Sequence, residues 1–312
     1  MPERAAVIDV GTNSVKLLVA EKEKRGYQTL DEVVQVVRLG DGLQKSGVIS
    51  ETAAVRTAQA ILTLTEKARA AGAENILAVG TAALRTAGNA AQFIGLVEEK
   101  TGVRIRVIDG DEEARLSFAA VNCIHEGTPV LMFDAGGGST EFAFGANGCV
   151  MRRVSVPIGA LTLFDSYLNA ENELSFDALE KARAHVRRFL SRTDAMNIQT
   201  ETAAKNFRLV GVGGTAAVLG AVSLALRHYD RRKIEGMALH LAEVRRQLSL
   251  YIGSTLETRK QIPGMPADRA LIAPAGTLLV EQILSFFGKD EFLISTRGLR
   301  HGVMEELFFR EQ

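Results

Sequence analysis

Three glycine-rich turns along the chain have the composition of phosphate-binding loops. The first is Gly11-Thr-Asn-Ser14, the second Gly136-Gly-Gly-Ser139 and the third Gly211-Val-Gly-Gly-Thr215. Without a Cβ, a glycine lets backbone N–H groups approach a phosphate oxygen closely, and the helical pattern after the third turn adds a helix N-terminus, which favours anions. Any one of these turns would also suit an ordinary β-turn. Three of them, each after a strand-like segment, indicate an anion-binding site.

Acidic residues stand beside the first two turns. Asp134 and Glu141 flank the triple glycine, and Asp9 precedes Gly11. Carboxylate oxygens are hard ligands, and Mg²⁺ bound by one or two of them keeps positions for water and phosphate. Turn capping explains Asp9 equally well. The sequence therefore predicts an Mg²⁺ or Mn²⁺ site at Asp134 and Glu141.

Two further groups could act on a phosphate. Arg85 follows a strand-like segment, and its forked guanidinium suits phosphoryl oxygens, although a plain surface position is also open. Asp111, Glu112 and Glu113 begin a helical pattern, where an N-cap and two acids in the first turn are favourable for structural reasons alone. Adjacent helix residues point ~100° apart, so at most one of the two glutamates faces a site.

A basic helical stretch is the densest concentration of arginines on any predicted helix. It pairs Arg183 with Arg187 and Arg188 with Arg192, in each case four residues apart. Such a face could contact a long anionic substrate, or it could be a solvated surface that contacts nothing. The five histidines show no ligand spacing, so none is predicted to bind a metal.

The elements that position these residues form two similar series. Asp9 and Asp134 are 125 residues apart, as are Ser14 and Ser139, and both turns share the pattern Asp-x-Gly-x-x-Ser. The hydrophobic pattern reads β-β-β-α-β-α-β-α and restarts with three strands after Pro129. We therefore predict an α/β protein of two domains, residues 1–125 and 126–312, around a central cleft. The last helix, 299–312, is able to pack back on the first domain.

The composition is that of an ordinary globular protein and argues against several classes. With 37 Lys and Arg against 37 Asp and Glu, the formal net charge is zero, so bulk charge favours neither nucleic acid nor an anionic membrane. Two cysteines do not build a disulfide scaffold, and no apolar run reaches the ~18 residues of a membrane span. The first residues lack a signal-peptide pattern. We expect a cytoplasmic protein without a nucleic-acid or membrane partner.

Eight short segments of the chain form a specific series. In order, they are Asp9–Val19, Thr81–Arg85, Glu112–Leu116, Asp134–Glu141, Pro157–Ala160, Gly211–Thr215, Arg269–Ile272 and Gly298–Gly302. Together they resemble the exopolyphosphatase / guanosine pentaphosphate phosphohydrolase family over nearly the whole chain. The glycine loops alone are shared with the wider superfamily of actin, sugar kinases and heat-shock chaperone ATPases. The resemblance implies two ribonuclease-H-like domains around a cleft.

The same resemblance implies an activity and residue roles. The activity is hydrolytic release of the terminal phosphate from inorganic polyphosphate, or of the 5′ γ-phosphate from guanosine pentaphosphate, with Mg²⁺ or Mn²⁺ and direct attack by water. By position, Glu113 is the implied general base, and Asp134 and Glu141 are the implied metal ligands. The residues implied to surround the phosphates are Asn13, Ser14, Arg85, Gly137, Gly138, Ser139, Gly214 and Thr215.

Two features depart from the family pattern. Asp109-Gly110 stands where the family commonly has Ser-Gly, which adds an acid near the implied base. The chain also ends where longer members continue into an all-helical extension. We therefore expect a short form of the family, in which a homodimer supplies any further contacts with polyphosphate.

Two other functions stay open at this point. A small-molecule kinase of the same superfamily would keep the phosphate loops but transfer phosphate from ATP to an acceptor. A non-catalytic sensor of alarmones or nucleotides would bind its ligand without releasing phosphate. The Glu112–Leu116 segment, together with the triple-glycine motif, favours the hydrolase, and assays with ATP and with polyphosphate separate the three functions.

Overall fold

Two mixed sheets, each with three antiparallel strands followed by parallel ones, form the framework of the chain. The computed structural model describes residues 3–122, 128–147, 149–168, 175–192, 195–202 and 206–309. The chain divides into two units, Met1–Ala120 with Leu299–Gln312, and Val121–Gly298. The boundary predicted at 125/126 falls within 123–127, outside the described residues.

The first domain is built on a sheet of five strands. These strands are β1 (Arg4–Val10), β2 (Ser14–Lys22), β3 (Tyr27–Val36), β4 (Asn75–Gly80) and β5 (Ile105–Val107). The sheet order is β3-β2-β1-β4-β5, in which β1 pairs antiparallel with β2 and parallel with β4. The helices between them are α1 (Leu43–Ser46), α2 (Glu51–Ala70), α3 (Ala82–Thr86), α4 (Ala90–Thr101) and α5 (Gly110–Asn122).

Both faces of this sheet are covered, which explains why β1 and β2 are apolar almost throughout. On one face, Ile8 and Leu17 pack with Ile61 and Leu64 of α2. Helix α2 begins where the Ser50 side chain accepts a hydrogen bond from the Ala53 N–H at 3.3 Å, a favourable N-cap.

The second domain repeats the arrangement with additions. Its strands are β6 (Val130–Ala135), β7 (Thr140–Ala146), β8 (Cys149–Val156), β9 (Arg208–Val212), β10 (Ala238–His240) and β11 (Glu291–Ile294). Its helices are α6 (Ala160–Leu163), α7 (Phe176–Arg192), α8 (Ala195–Thr202), α9 (Gly213–Ser223), α10 (Arg231–Ile234), α11 (Leu241–Ile252), α12 (Leu256–Lys260) and α13 (Ala273–Phe287).

The second sheet has the order β10-β11-β9-β6-β7-β8. Strands β8-β7-β6-β9-β11 therefore match β3-β2-β1-β4-β5 in order and direction. This match confirms the predicted duplicated α/β fold of ribonuclease-H-like domains. Helix α13 is buried along most of its length and lies in the centre of the second core, where Phe287 contacts Phe142 of β7.

Local structure differs from the hydrophobic pattern in two ways. The pattern predicts one helix over residues 160–168, but the structure has a short α-helix, α6, that continues as a π-helix, Phe164–Leu168. The pattern does not predict the short elements β10, α1, α3, α8, α10 and α12, because segments of three to eight residues carry too few repeats for periodicity to show. No helix in the described parts of the chain is long and apolar enough to cross a membrane.

The last helix, α14 (Leu299–Phe309), packs on the first domain. Val303, Met304 and Phe308 join the core on the second face of the five-stranded sheet. The imidazole Nε2 of His301 lies 2.8 Å from Glu32 Oε1 of β3, and both belong to this domain. Helix α14 thus completes a domain whose other elements lie almost 200 residues earlier in the chain.

A single glycine sets how closely α14 approaches α5. A Cβ at Gly302 would lie 1.9 Å from the Leu116 carbonyl oxygen, and because the obstacle is backbone it does not move aside easily. Gly302→Ala should therefore destabilise the protein by about 1–3 kcal/mol, measured by urea unfolding. The matched control is Gly95→Ala in α4, where no atom lies within 4 Å of the new Cβ. The control should be neutral or stabilising, and equal stability of the two variants would contradict this packing.

Candidate active site

The turn between β1 and β2 contains a buried amide that no described residue of the chain pairs with. The main-chain oxygen of Asn13 accepts hydrogen bonds from the N–H groups of Val37 and Arg38, both at 2.9 Å, which fixes the turn. Asn13 is 5% exposed, and its Nδ2 has no hydrogen-bond partner in the described part of the chain. A buried donor left unpaired costs free energy, so this amide is prepared for an acceptor that a ligand would bring. Ser14 is buried beside it.

The carboxylate at the end of β1 is neutralised within the domain. Asp9 and Lys16 are direct cross-strand neighbours on β1 and β2. Lys16 Nζ lies 3.0 Å from Asp9 Oδ2, and the Asp9 side chain is only 4% exposed. Asp9 therefore has a structural partner within its own domain, an ion pair that the sequence analysis did not predict.

The structure brings Arg85 and Glu113 together. Arg85 lies on α3, just after β4, and Glu113 lies in the first turn of α5. Arg85 Nη1 donates a hydrogen bond to Glu113 Oε2 at 2.6 Å and another to the Ile108 carbonyl oxygen at 3.1 Å. Both side chains are mostly buried. A short charge-assisted contact of this kind holds both groups in a defined orientation.

Glu112 points elsewhere, as adjacent positions on a helix require. Arg106 Nη1 contacts both of its carboxylate oxygens, at 2.8 and 3.0 Å. Asp109 precedes α5, and its Oδ1 accepts a hydrogen bond from the Glu112 N–H at 2.7 Å. Asp109 is thus an N-cap, a role that the serine common at this position would also perform.

In the second domain, Asp134 near the end of β6 lies directly opposite Glu141 near the start of β7, beside the turn that joins the two strands. Glu141 is 1% exposed, and its Oε1 accepts hydrogen bonds from the hydroxyls of Ser139 at 2.6 Å and Ser155 at 2.7 Å. The register places Glu141 where Lys16 lies in the first domain. Like charges directly opposite each other are unfavourable, so this pair favours a cation beside it.

The triple-glycine turn is held by the segment that follows β8. The N–H groups of Ala160 and Leu161 donate to the carbonyl oxygens of Gly136 and Gly137 at 2.8 and 2.9 Å. A Cβ at Gly159 would lie 2.4 Å from the Gly137 carbonyl carbon and 2.6 Å from the Gly138 nitrogen. Only glycine permits this approach, which explains why the Pro157–Ala160 motif has a glycine at position 159.

The third glycine loop packs against the carboxylate of Asp134. Gly213, at the start of α9, has a φ of +81°, and a Cβ there would lie 2.2 Å from Asp134 Oδ1. The Thr215 hydroxyl donates to the Ala135 carbonyl oxygen at 2.7 Å. The structure therefore brings Gly213, Gly214 and Thr215 to the end of β6, beside the triple-glycine turn.

Arg269 is a residue of this group that the sequence analysis does not single out. A Cβ at Gly214 would lie 2.4 Å from Arg269 Nη1, so the guanidinium rests against the start of α9. Burial lowers the pKa of Arg269, whereas the negative charges of Asp268 and Asp134 raise it. The side chain remains cationic, because a guanidinium does not lose its proton in proteins. The Arg269–Ile272 motif was the available signal, but it carries no indication of a contact with Gly214.

Asp134 and Glu141 form a pair rather than a closed cage. The described residues contain no group of three or more His, Cys, Asp or Glu side chains arranged to hold a metal ion. Mg²⁺ commonly binds through one or two carboxylates, with water and phosphate filling its other positions. A pair of oxygen ligands whose negative charges oppose each other fits such an ion.

Comparisons with known proteins agree with this geometry. The sequence profile of the Ppx/GppA phosphatase family matches residues 18–311. The chain belongs to this family. Membership confirms the family resemblance and the enzyme class, a phosphatase.

Members of the family with known structures share the fold over their full length. A PPX-GPPA enzyme of Aquifex aeolicus is 27% identical with a TM-score of 0.77, covering 97% of this chain and 99% of that chain. An exopolyphosphatase from Cytophaga hutchinsonii is 25% identical with a TM-score of 0.89, covering 99% of both chains.

A curated relative is longer than this chain. A bifunctional 3-dehydroquinate synthase/phosphatase of Fusobacterium nucleatum subsp. nucleatum is 30% identical over 313 aligned positions. The alignment covers 96% of this chain but 46% of the relative, so the chain spans less than half of that protein's length.

The ion pair of Asp9 and Lys16 in this phosphatase predicts a charge-dependent loss of stability. Lys16→Met leaves a buried carboxylate without its cation and should cost about 1–3 kcal/mol, measured by urea unfolding. The double variant Asp9→Asn/Lys16→Met removes both charges and should recover most of the loss. If the double variant is no more stable than Lys16→Met, the cost comes from lost packing rather than from an unpaired charge.

Proposed function

We propose that this chain hydrolyses phosphoanhydride bonds by direct attack of water, releasing the terminal phosphate of inorganic polyphosphate or the 5′ γ-phosphate of guanosine pentaphosphate. The observation that carries the proposal is the contact between Arg85 and Glu113, which places an anion-binding guanidinium and a carboxylate 2.6 Å apart in a member of a phosphatase family. The named structural relatives include an exopolyphosphatase, which supports this substrate class.

In this proposal each domain contains phosphate-binding residues. Asn13 offers a buried amide without a partner in the described residues, and Ser14 lies beside it. The second domain contributes backbone N–H groups of the loops at Gly137, Gly138, Ser139, Gly214 and Thr215. Phosphoryl transfer depends mainly on positioning and charge neutralisation, which such groups supply.

Glu113 is the proposed general base. Water attacking a phosphoryl group loses a proton, and a carboxylate oriented by Arg85 is able to accept it. Glu112 is a poorer candidate because Arg106 already binds both of its oxygens. In the described residues near Arg85, Glu113 is the acid that combines burial with a guanidinium contact.

Asp134 and Glu141 are the proposed ligands of Mg²⁺ or Mn²⁺. The ion would neutralise charge on the phosphoryl oxygens during the reaction. The two carboxylates hold it by their oxygens, and the hydroxyls of Ser139 and Ser155 keep Glu141 in place. A cytoplasmic location and a homodimer stay predictions from the sequence.

Release of phosphate tests the function directly. We expect inorganic phosphate from polyphosphate or from guanosine pentaphosphate in the presence of Mg²⁺, and none in excess chelator. Readdition of Mg²⁺ should restore the rate. ATP with no acceptor serves as the control substrate, because a kinase would need an acceptor for turnover. Full activity in chelator would remove the metal from the mechanism, and binding without release would favour the sensor.

The base assignment predicts a selective loss of kcat. Glu113→Gln keeps the shape of the side chain and removes its basicity, so kcat should fall about 10²–10⁴-fold while KM changes little. Glu112→Gln is the matched control on the same helix and should cost far less. Thermal unfolding of both variants checks that the contact with Arg85 is not needed for folding. Near-normal kcat in Glu113→Gln, or a larger loss in Glu112→Gln, would assign the base elsewhere.

A further inference from the structure

A short basic segment follows α9 and includes the start of α10 in the second domain. Residues 227–233, hereafter the basic segment, read Arg-His-Tyr-Asp-Arg-Arg-Lys and contain four cationic side chains and one acidic one. Arg227, Arg232 and Lys233 are exposed, and none takes part in an ion pair within the described parts of the chain. The single acid, Asp230, accepts a hydrogen bond from the Arg232 N–H as the N-cap of α10. Arg227, Arg232 and Lys233 thus carry positive charge that no acidic side chain in the described residues pairs with.

Hydrogen bonds fix the basic segment at the edge of the sheet that carries the glycine loops. Arg231 Nε donates to Thr296 Oγ1 at 2.8 Å, and the Glu235 carboxylate accepts from the Thr296 N–H at 2.7 Å. Thr296 follows β11, whose end is bound to β9 through the Ser295 N–H and the Gly211 carbonyl oxygen at 2.9 Å. Neighbouring strands lie ~4.8 Å apart, so the ends of β11 and β6 are separated by on the order of 10 Å.

Arg269 is a further cation beside the glycine loop. Its guanidinium rests against Gly214, and it interacts electrostatically with Asp134 and with Tyr229 of the basic segment. Strands β6, β9 and β11 are parallel neighbours, so the end of β6 with its glycine loops and the end of β11 with the basic segment lie at the same edge of one sheet. An anionic chain bound by its end at the loop could therefore reach the basic segment.

The basic face of α7 is less suited to this role than the sequence suggests. Arg183 contacts Glu180 at 2.7 Å and Glu281 of α13 at 3.4 Å. Arg187 Nε donates to Gln282 Oε1, also on α13, at 2.8 Å. Two of the four arginines are therefore committed to packing α7 against α13, and the side chain of Arg192 lies outside the described residues.

We propose that the basic segment binds the internal phosphates of an inorganic polyphosphate chain whose terminal phosphate lies at the glycine loops of the second domain. The inference rests on the proposed function and adds a subsite to it. Contacts between cations and successive phosphates displace counterions, so they strengthen with chain length and weaken with salt. A substrate of two or three phosphates ends before it reaches Arg232 and Lys233.

The test removes the three exposed charges without touching the glycine loops. The triple variant Arg227→Gln/Arg232→Gln/Lys233→Gln should raise KM for long-chain polyphosphate about tenfold, as expected for three solvent-exposed charge contacts. Both kcat and the KM for tripolyphosphate should stay unchanged, and the dependence of long-chain KM on salt should flatten. The matched control, Lys24→Gln/Arg25→Gln/Lys100→Gln, removes the same charge from exposed positions of the first domain.

The outcomes separate this subsite from the proposed function. An unchanged long-chain KM, an equal rise for tripolyphosphate, or an equal rise in the control would overturn the subsite while phosphate release by the wild-type protein still supports the function. If the wild-type protein releases no phosphate from any chain, the proposed function fails. Binding of long-chain polyphosphate, measured by calorimetry, then decides the subsite alone. Weaker binding in the triple variant than in the control supports it, and equal binding overturns it.

Discussion

Neutralisation of the two aspartates at the ends of β1 and β6 is the constraint on which the candidate site depends. Each carboxylate lies in the same place of a duplicated sheet, but the cross-strand partner differs: Lys16 opposes Asp9, whereas Glu141 opposes Asp134. The first domain thus contains its own cation. In the second domain the Ser139 and Ser155 hydroxyls hold Glu141, and Arg269 lies near Asp134. In the proposed function, this difference between the two domains is the reason for placing the metal in the second.

Glycine is needed around Asp134 because charged groups and backbone approach each other more closely there than a Cβ permits. Gly213 leaves room for the Asp134 carboxylate, Gly214 for the Arg269 guanidinium, and Gly159 for the triple-glycine turn. A methyl group at any of these positions would come closer to a charged group or to the loop backbone than real Cβ atoms do, so one of them would have to move. The loops are therefore rigid parts of the packing, and their glycines provide space rather than mobility.

The sequence was sufficient to predict what depends on local pattern and internal repetition. The 125-residue displacement of Asp9 and Ser14 predicted two matching sheets. The adjacency of Glu112 and Glu113 predicted that at most one would face a site, and Glu113 is the one that contacts Arg85. Contacts between distant segments could not be predicted this way. Nothing in the arginine spacing of α7 indicates that Arg183 reaches Glu281, and nothing near Arg269 indicates Gly214, because partners about 100 or 50 residues away leave no periodic signal.

The contact between Arg85 and Glu113 also explains how one pair of side chains could bind phosphate and activate water. A phosphoryl oxygen that competes for the guanidinium exchanges one charge-assisted hydrogen bond of Arg85 for another, so the exchange costs little free energy. Glu113 gives up this contact in that exchange, and a carboxylate that loses a charge-assisted hydrogen bond accepts a proton more readily. In the proposed reaction, Glu113 would then become more basic when a phosphate binds to Arg85. In the proposed reaction, the same contact that orders the base before substrate arrives releases it for proton transfer afterwards.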